Sequence, residues 1–368
     1  MLASTDEIWL HRRPYDLAWY GLFPFVQVLA MAGAACCLGP RGYIPLYMVS
    51  SILTGWGHNW ITWLMLLPQD GRKHYEPGTF FWPFVISVAA LVPIILTYGT
   101  PVFGFAVMLH VLLGFYHITR QHQGLMHAYD GRYMQAGGPA EIRGFSRDAR
   151  WLLGTAAVFA LVWKMVGEPV ALDLGAQEQL GTHTLVQLPF PHLPVAVAAL
   201  VALFGLALLA RLAWQAYQLR RTLPLGHLVL LGGALFSYGV ATALPPSWFL
   251  ITYSIVSTTH NVQSFSFCYT HHHLRATAEP SDGLFSRFAR ERRWWKWGLV
   301  PVGLAVSMAA VLGTIPAQWQ VTLAFWFMAV HYLVEGTIWR RKHYPAMGRF
   351  SRGLVVSPPG QTAPEVAA

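Results

Sequence analysis

Long apolar runs, each about the length of a membrane-crossing helix, alternate with short polar segments along most of the chain. A hydrocarbon layer about 30 Å thick needs roughly 20 mostly apolar residues per helical crossing. By that measure about ten stretches qualify. They lie near 17–37, 44–67, 79–98, 102–119, 151–167, 194–216, 225–244, 247–270, 297–314 and 319–339. Glycine and proline mark the junctions, at Gly39-Pro40, Gly99-Thr100-Pro101, Pro245-Pro246 and Ile315-Pro316. These residues end or bend helices, which supports the boundaries. The pattern predicts an all-α polytopic transmembrane helix bundle with about ten spans. Residues 1–352 form one integral membrane domain in this reading. The segment 353–368, with Pro358, Pro359 and Pro364, reads as a disordered tail. The residues before the first stretch include Asp6, Glu7 and Asp16 beside Arg12 and Arg13, a poor cleavable leader, so that stretch reads as a retained helix.

Composition agrees with this picture. Of the 368 residues, 55% are hydrophobic and only 11% charged, where a soluble domain carries about 25%. The net charge of +9 would suit a nucleic-acid partner, but its placement argues against one. Lys and Arg crowd into alternate loops, while the other loops hold only Arg41 and Lys164 falls within a span. The longest loop on that poorer side, 168–193, carries Glu168, Asp173 and Glu178 and no basic residue. Such asymmetry predicts that both termini are cytoplasmic, in a bacterial inner membrane. Cys36, Cys37 and Cys268 make neither a disulfide framework nor a CxxC motif, and read as small buried hydrophobes.

Histidines interrupt the apolar runs. His58, His110, His260 and His331 lie in spans two, four, eight and ten, which all run the same way. Each precedes the inner end of its span by roughly eight to ten residues, or about 12–15 Å at 1.5 Å per residue. Imidazole gains nothing from lipid, so four at one depth point to a metal site inside the bundle. A second layer is expected nearer the cytoplasm. His117 follows His110 by two helical turns, Glu335 follows His331 by four residues, and His271 follows His260 on nearly the same face. His122 joins the candidate ligands. His127, His272 and His273 stay open between ligand and interfacial roles. Glu335 and Tyr332 are the candidate catalytic groups. Asn59, Asn261 and Gln263 adjoin the ligands and are candidates to fix imidazole tautomers.

Imidazoles with one carboxylate suit iron, zinc, copper or manganese. Without a thiolate in the layer, an iron–sulfur cluster is disfavoured. Four histidines with open positions would suit iron and O2, and two layers with a bridging Glu335 would suit a dinuclear centre. The boxes HxxxH and HxxHH of membrane desaturases are absent, since His117, His122 and His127 are spaced by five.

Four segments carry a family resemblance: Gly57-His58-Asn59, the stretch 110–123, the run Thr259-His260-Asn261-Val262-Gln263-Ser264-Phe265-Ser266-Phe267, and Val330-His331-Tyr332-Leu333-Val334-Glu335. Their order resembles the Brp/Blh family of membrane carotenoid-cleaving dioxygenases, in which histidines from several spans surround one non-haem iron. The family's early Pro-His-Gly step is Gly-His-Asn here, and its His-Phe-Gly step is absent. The resemblance implies iron and O2, without assigning carotene as substrate.

The resulting expectation is a membrane-embedded non-haem iron oxidoreductase of oxygenase type, mono- or dinuclear, with its site toward the cytoplasmic leaflet. It would take a hydrophobic, lipid-like substrate from the surrounding lipid, with O2 and an electron donor of unassigned identity. Two alternatives use the same residues. One is a metal-ion or proton transporter with the His/Glu layer as relay, and the other is a haem-binding membrane protein.

Overall fold

A computed structural model describes residues 9–39, 42–66, 81–98, 100–135, 137–166, 171–173, 185–187, 190–220, 223–245, 248–278 and 283–338. The expected disordered tail lies outside the described residues. Helices cover each predicted apolar stretch. In chain order they are α1 (Arg13–Leu38) and α2 (Ile44–Ser50 and Gly57–Leu66, joined by a π-helical turn over Ser51–Trp56). Next come α3 (Phe81–Leu96), α4 (Pro101–Gln135) and α5 (Ile142–Lys164). They are followed by α6 (Val195–Gln218), α7 (Leu225–Ala243) and α8 (Phe249–Ala278). The last are the short α9 (Leu284–Arg290), then α10 (Trp294–Leu312) and α11 (Ala317–Ile338). A small antiparallel pair of strands, β1 (Ala171–Asp173) and β2 (Leu185–Gln187), is the exception to helix among the described elements.

Five of these helices are long and apolar enough to cross a membrane, among the described residues: α1, α4, α6, α7 and α10. Helix α6 turns Leu200, Leu203, Phe204, Leu206 and Leu209 outward. An apolar face that wide is stable against hydrocarbon rather than water. The helices therefore suit an integral membrane protein.

Helix α8 stands in the centre. From Ile251 to His273 every residue except Ser257 is buried. The buried set includes Thr252, Ser254, Thr258, Thr259, Gln263, Ser264, Ser266 and Thr270. A helix this polar is a poor lipid-facing span, and it is stable here because α1, α2, α4 and α7 pack around it.

Polar ties hold the periphery in register. Asp16, at the start of α1, accepts hydrogen bonds from the Leu10 amide (2.7 Å) and the Tyr129 hydroxyl of α4 (2.7 Å). Asp148 of α5 pairs with Arg211 of α6 at 2.7 Å. Lys164 ends α5 and donates to the carbonyls of Leu244 (2.5 Å) and Pro245 (3.1 Å). The cation thus meets acceptors that the end of α7 leaves unpaired.

Candidate metal centre

Four helices send one imidazole each into the same small volume. His58 comes from α2, His117 from α4, His260 from α8 and His331 from α11, and all four are buried. Their rings form a closed circuit. The centroid separations are 4.7 Å for His58–His331, 5.2 Å for His331–His117, 5.3 Å for His117–His260 and 5.4 Å for His260–His58. Neighbouring planes are steeply inclined, at 71° to 83°.

Glu335 closes this circuit from one side. Helical spacing sets it one turn beyond His331, on the same face. His58 Nε2 lies 3.3 Å from Oε1, while His117 Nε2 and His331 Nε2 lie 3.4 and 3.5 Å from Oε2. Ligand atoms of His58, His117, His331 and Glu335 all fall within 4.8 Å of one another. His260 extends this group through its ring contacts.

The hydrogen-bond network assigns the imidazole tautomers. Thr62, one turn after His58, donates its single hydroxyl hydrogen to Glu335 Oε1 at 3.0 Å. Its oxygen is then the acceptor for His331 Nδ1–H at 3.2 Å. Ser264 likewise donates to Gln121 Oε1 at 2.6 Å, so it accepts from His260 Nδ1–H at 3.3 Å. Both histidines are left with the lone pair on Nε2, the form that ligates a metal.

The His331 lone pair consequently points at a carboxylate oxygen. Two acceptors face each other in a site nearly closed to solvent, which is unfavourable unless a cation lies between them. One proton could serve one imidazole, yet three converge on this carboxylate. Both nitrogens of His58 and Nε2 of His117 also lack hydrogen-bond partners among the described residues. A metal ion would meet all of these groups together. With metal–nitrogen bonds of about 2.0–2.1 Å and ring centres about 1.2 Å further out, neighbouring ligating imidazoles have centroids about 4.5 Å apart at right angles and about 5.2 Å apart at tetrahedral angles. The observed circuit falls around that range, and the donors of His58, His117, His331 and Glu335 lie close enough together for a single ion.

His110 is not brought into this group. It stacks on Tyr332 (5.5 Å) and contacts Phe325 (4.7 Å). The depth count that put His110 in the layer took Arg120 as the inner end of its helix. Helix α4 instead continues to Gln135. Arg120 is exposed on its flank and bonds Gln123. The level of the other histidines is therefore met two turns later, at His117. His117 thereby moves from the expected second layer into the first.

The remaining candidates are dispersed. His122 is buried with its ring 5.9 Å from that of His260, beside the circuit rather than in it. His271 packs against Phe267 (6.4 Å), away from Glu335's group. His272 accepts from Trp297 Nε1–H at 2.9 Å and meets Ser286 Oγ at 3.1 Å, and His273 bonds the Ala289 carbonyl at 2.7 Å. Both tie α8 to the segment around α9. His127 lies 3.3 Å from Arg150. Gln263 donates to the Tyr20 carbonyl at 2.9 Å, which ties α8 to α1, and its side chain also meets the His122 imidazole. Asn59 and Asn261 line a cleft against His260 and His331. Tyr332 lies against His117 (4.5 Å) and pairs its hydroxyl with that of Tyr253 at 3.1 Å.

Thr62, Gln121 and Ser264 escaped the sequence reading, although a signal for them exists. Each of the four converging histidines is followed at the fourth position by a polar residue: Thr62, Gln121, Ser264 and Glu335. Residues four apart share a helix face, so these side chains reach the same volume: Ser264 and Glu335 meet their own histidine, Thr62 meets His331 of the facing helix, and Gln121 meets Ser264. The π turn over Ser51–Trp56 stops one residue short of His58. Such turns insert a residue, rotate the helix beyond them and are frequent at functional sites. No family model matches the chain, and no curated protein or solved structure is detectably similar to it.

Proposed function

We propose that this chain is a membrane-embedded, metal-dependent oxidoreductase of oxygenase type, acting on a hydrophobic substrate with O2. In this reading His58, His117, His260, His331 and Glu335 hold one iron ion, and about ten spans carry the site in a bacterial inner membrane with both termini cytoplasmic. The observation that carries it is the convergence of three imidazoles on the Glu335 carboxylate, 3.3 to 3.5 Å away. An all-nitrogen and oxygen donor set from imidazoles and one carboxylate is compatible with iron, as with zinc, copper or manganese. The order of the histidine segments, similar to the Brp/Blh dioxygenases, favours iron among them. Bound iron would supply the redox chemistry that activates O2. The chain's own contribution is to hold the imidazoles in their ligating tautomers, to neutralise part of the ion's charge with Glu335, and to exclude bulk water from the centre.

The haem alternative has less support. Imidazoles 4.7 to 5.4 Å apart, ring edge toward ring face, leave no slot for a planar macrocycle between two of them. The test of the proposal is elemental analysis of protein purified under mild, chelator-free conditions, combined with the absorption spectrum. Near-stoichiometric iron that is lost in His331→Ala and Glu335→Ala supports it. Metal-free protein, or a Soret band, overturns it, and metal flux in proteoliposomes would replace it with a transporter.

A further inference from the structure

Beside the imidazole circuit lies a small cleft between α2, α8 and α11. Its floor is formed by His260 and His331, and its walls carry four short polar side chains: Ser51 and Asn59 from α2, Ser257 and Asn261 from α8. The open space is about 40 Å³. One water needs roughly 10–15 Å³ by this kind of measure, so only a few water-sized groups fit.

The walls are under-satisfied. Asn59 is 6% exposed and its side chain makes no hydrogen bond among the described residues. Asn261 is 8% exposed and reaches only Ser257 Oγ, at 3.4 Å. Gly55 leaves Asn261 its place, since a Cβ there would stand 2.8 Å from Asn261 Nδ2. Two buried amides with spare donors and acceptors, in a region bordered by lipid-facing helices, are costly unless something polar meets them.

The cleft is only partly enclosed. Ser51, Trp56 and Met328 at its margin are only half-buried, and Val49 and Leu53 close by on α2 are exposed. A molecule dissolved in the bilayer could place one end here and leave the rest outside. The polar walls offer both donors and acceptors, which a hydroxyl uses at once and a hydrocarbon cannot use.

We infer that this cleft binds the hydroxyl-bearing end of an otherwise apolar lipid-phase molecule, with Asn59 and Asn261 as the recognising residues. This deepens the oxidoreductase reading and rests on it for the word substrate: the carbon next to the hydroxyl is presented to the face of His260 and His331. The volume admits the hydroxyl and its carbon but not a ring, so bulk is confined to the far end of the molecule. A site built to hydrogen-bond a hydroxyl discriminates strongly against an analogue that lacks it, because its polar groups are then left unpaired.

The experiment is photo-crosslinking of the full chain in lipid nanodiscs with two probes. One is a long-chain primary alcohol with a diazirine near the hydroxyl, and the other is the alkane with the diazirine at the same carbon. Crosslinked residues are read by peptide mass spectrometry, and metal content is measured on the same sample. The expected result is at least tenfold more labelling around Trp56 and Met328 by the alcohol than by the alkane. Asn261→Leu should bring the two probes to equality, and Ser257→Ala, a milder change, should narrow the gap. Equal labelling by both probes, no alcohol labelling in the cleft, or a preference that survives in both variants overturns the inference. Absence of the preference in native protein that retains its metal sinks this inference alone. A preference that persists in protein devoid of metal supports the binding site and removes the catalytic reading.

Discussion

Thr62 and Glu335, on α2 and α11, are joined by a 3.0 Å hydrogen bond in which the hydroxyl donates to the carboxylate. The same hydroxyl oxygen accepts from His331 Nδ1–H, so one threonine orients two of the proposed ligands. Outer partners of this kind typically contribute a factor of 10–100 in metal affinity. Thr62→Val, which keeps the shape and removes the hydroxyl, is expected to weaken metal binding by about that factor. Thr62→Ser should restore it. Competition against a chelator of known affinity measures both. Equal affinity in Thr62→Val would mean that the contact does not orient a bound metal.

Helix α4 offers a sharper contrast. His110 and His117 lie on one face two turns apart, with the Tyr332 ring 5.5 Å from the first and 4.5 Å from the second. Only His117 meets Glu335. His117→Ala is therefore expected to abolish stoichiometric metal binding, while His110→Phe keeps the stack on Tyr332 and full metal content. Elemental analysis of the two purified variants checks this. The reverse outcome would return the site to the level of His110.

These two histidines also show how far a sequence carries. The positions of the helices are read from apolar length, and the histidines that interrupt them are read directly, both of which are local properties. Three of the four expected ring members, His58, His260 and His331, do meet. Choosing between His110 and His117 required the true end of α4, and an exposed Arg120 in mid-helix imitated that end. Helix α8 was legible as a helix despite its polar residues, yet its central position was not, because burial on all sides depends on neighbours remote in sequence. Thr62, Gln121 and Ser264 could be read only after the bundle had closed and shown which helix faces meet.

Gly114 sits where the Tyr253 and Tyr332 hydroxyls approach α4. A Cβ at this position would lie 2.7 Å from the Tyr253 oxygen and 3.2 Å from that of Tyr332. Tyr253 comes from the buried centre of α8 and has little room to retreat. Gly114→Ala is expected to destabilise the bundle by about 1–3 kcal/mol, the usual cost of overpacking. Tyr253→Phe removes the closer oxygen, so the double variant Gly114→Ala/Tyr253→Phe should recover part of the loss. Thermal unfolding in one detergent compares all four proteins. Strictly additive effects would show that the two positions do not press on each other.

His11 provides a pH-dependent contact outside the spans. Its ring packs against Tyr15 (4.6 Å), His273 (5.7 Å) and Tyr269 (6.0 Å). Burial, followed by His273 and the cations Arg12, Arg292 and Arg132, pushes its pKa down to about 4 from an ordinary 6.5. Between those values the unfolded chain binds a proton that the folded chain refuses. The stabilisation is thus complete above pH 6.5, declines as the medium is acidified, and levels off below about pH 4. His11→Phe keeps an aromatic ring against Tyr15 and Tyr269 and removes the titrating group. Its unfolding midpoint should therefore fall less steeply than the native protein's between pH 6.5 and 4, with His273, whose pKa burial also lowers, left to supply part of the remaining slope. Parallel profiles for the two proteins would show that His11 is protonated without cost in the folded state, and that the cations around it are screened by water.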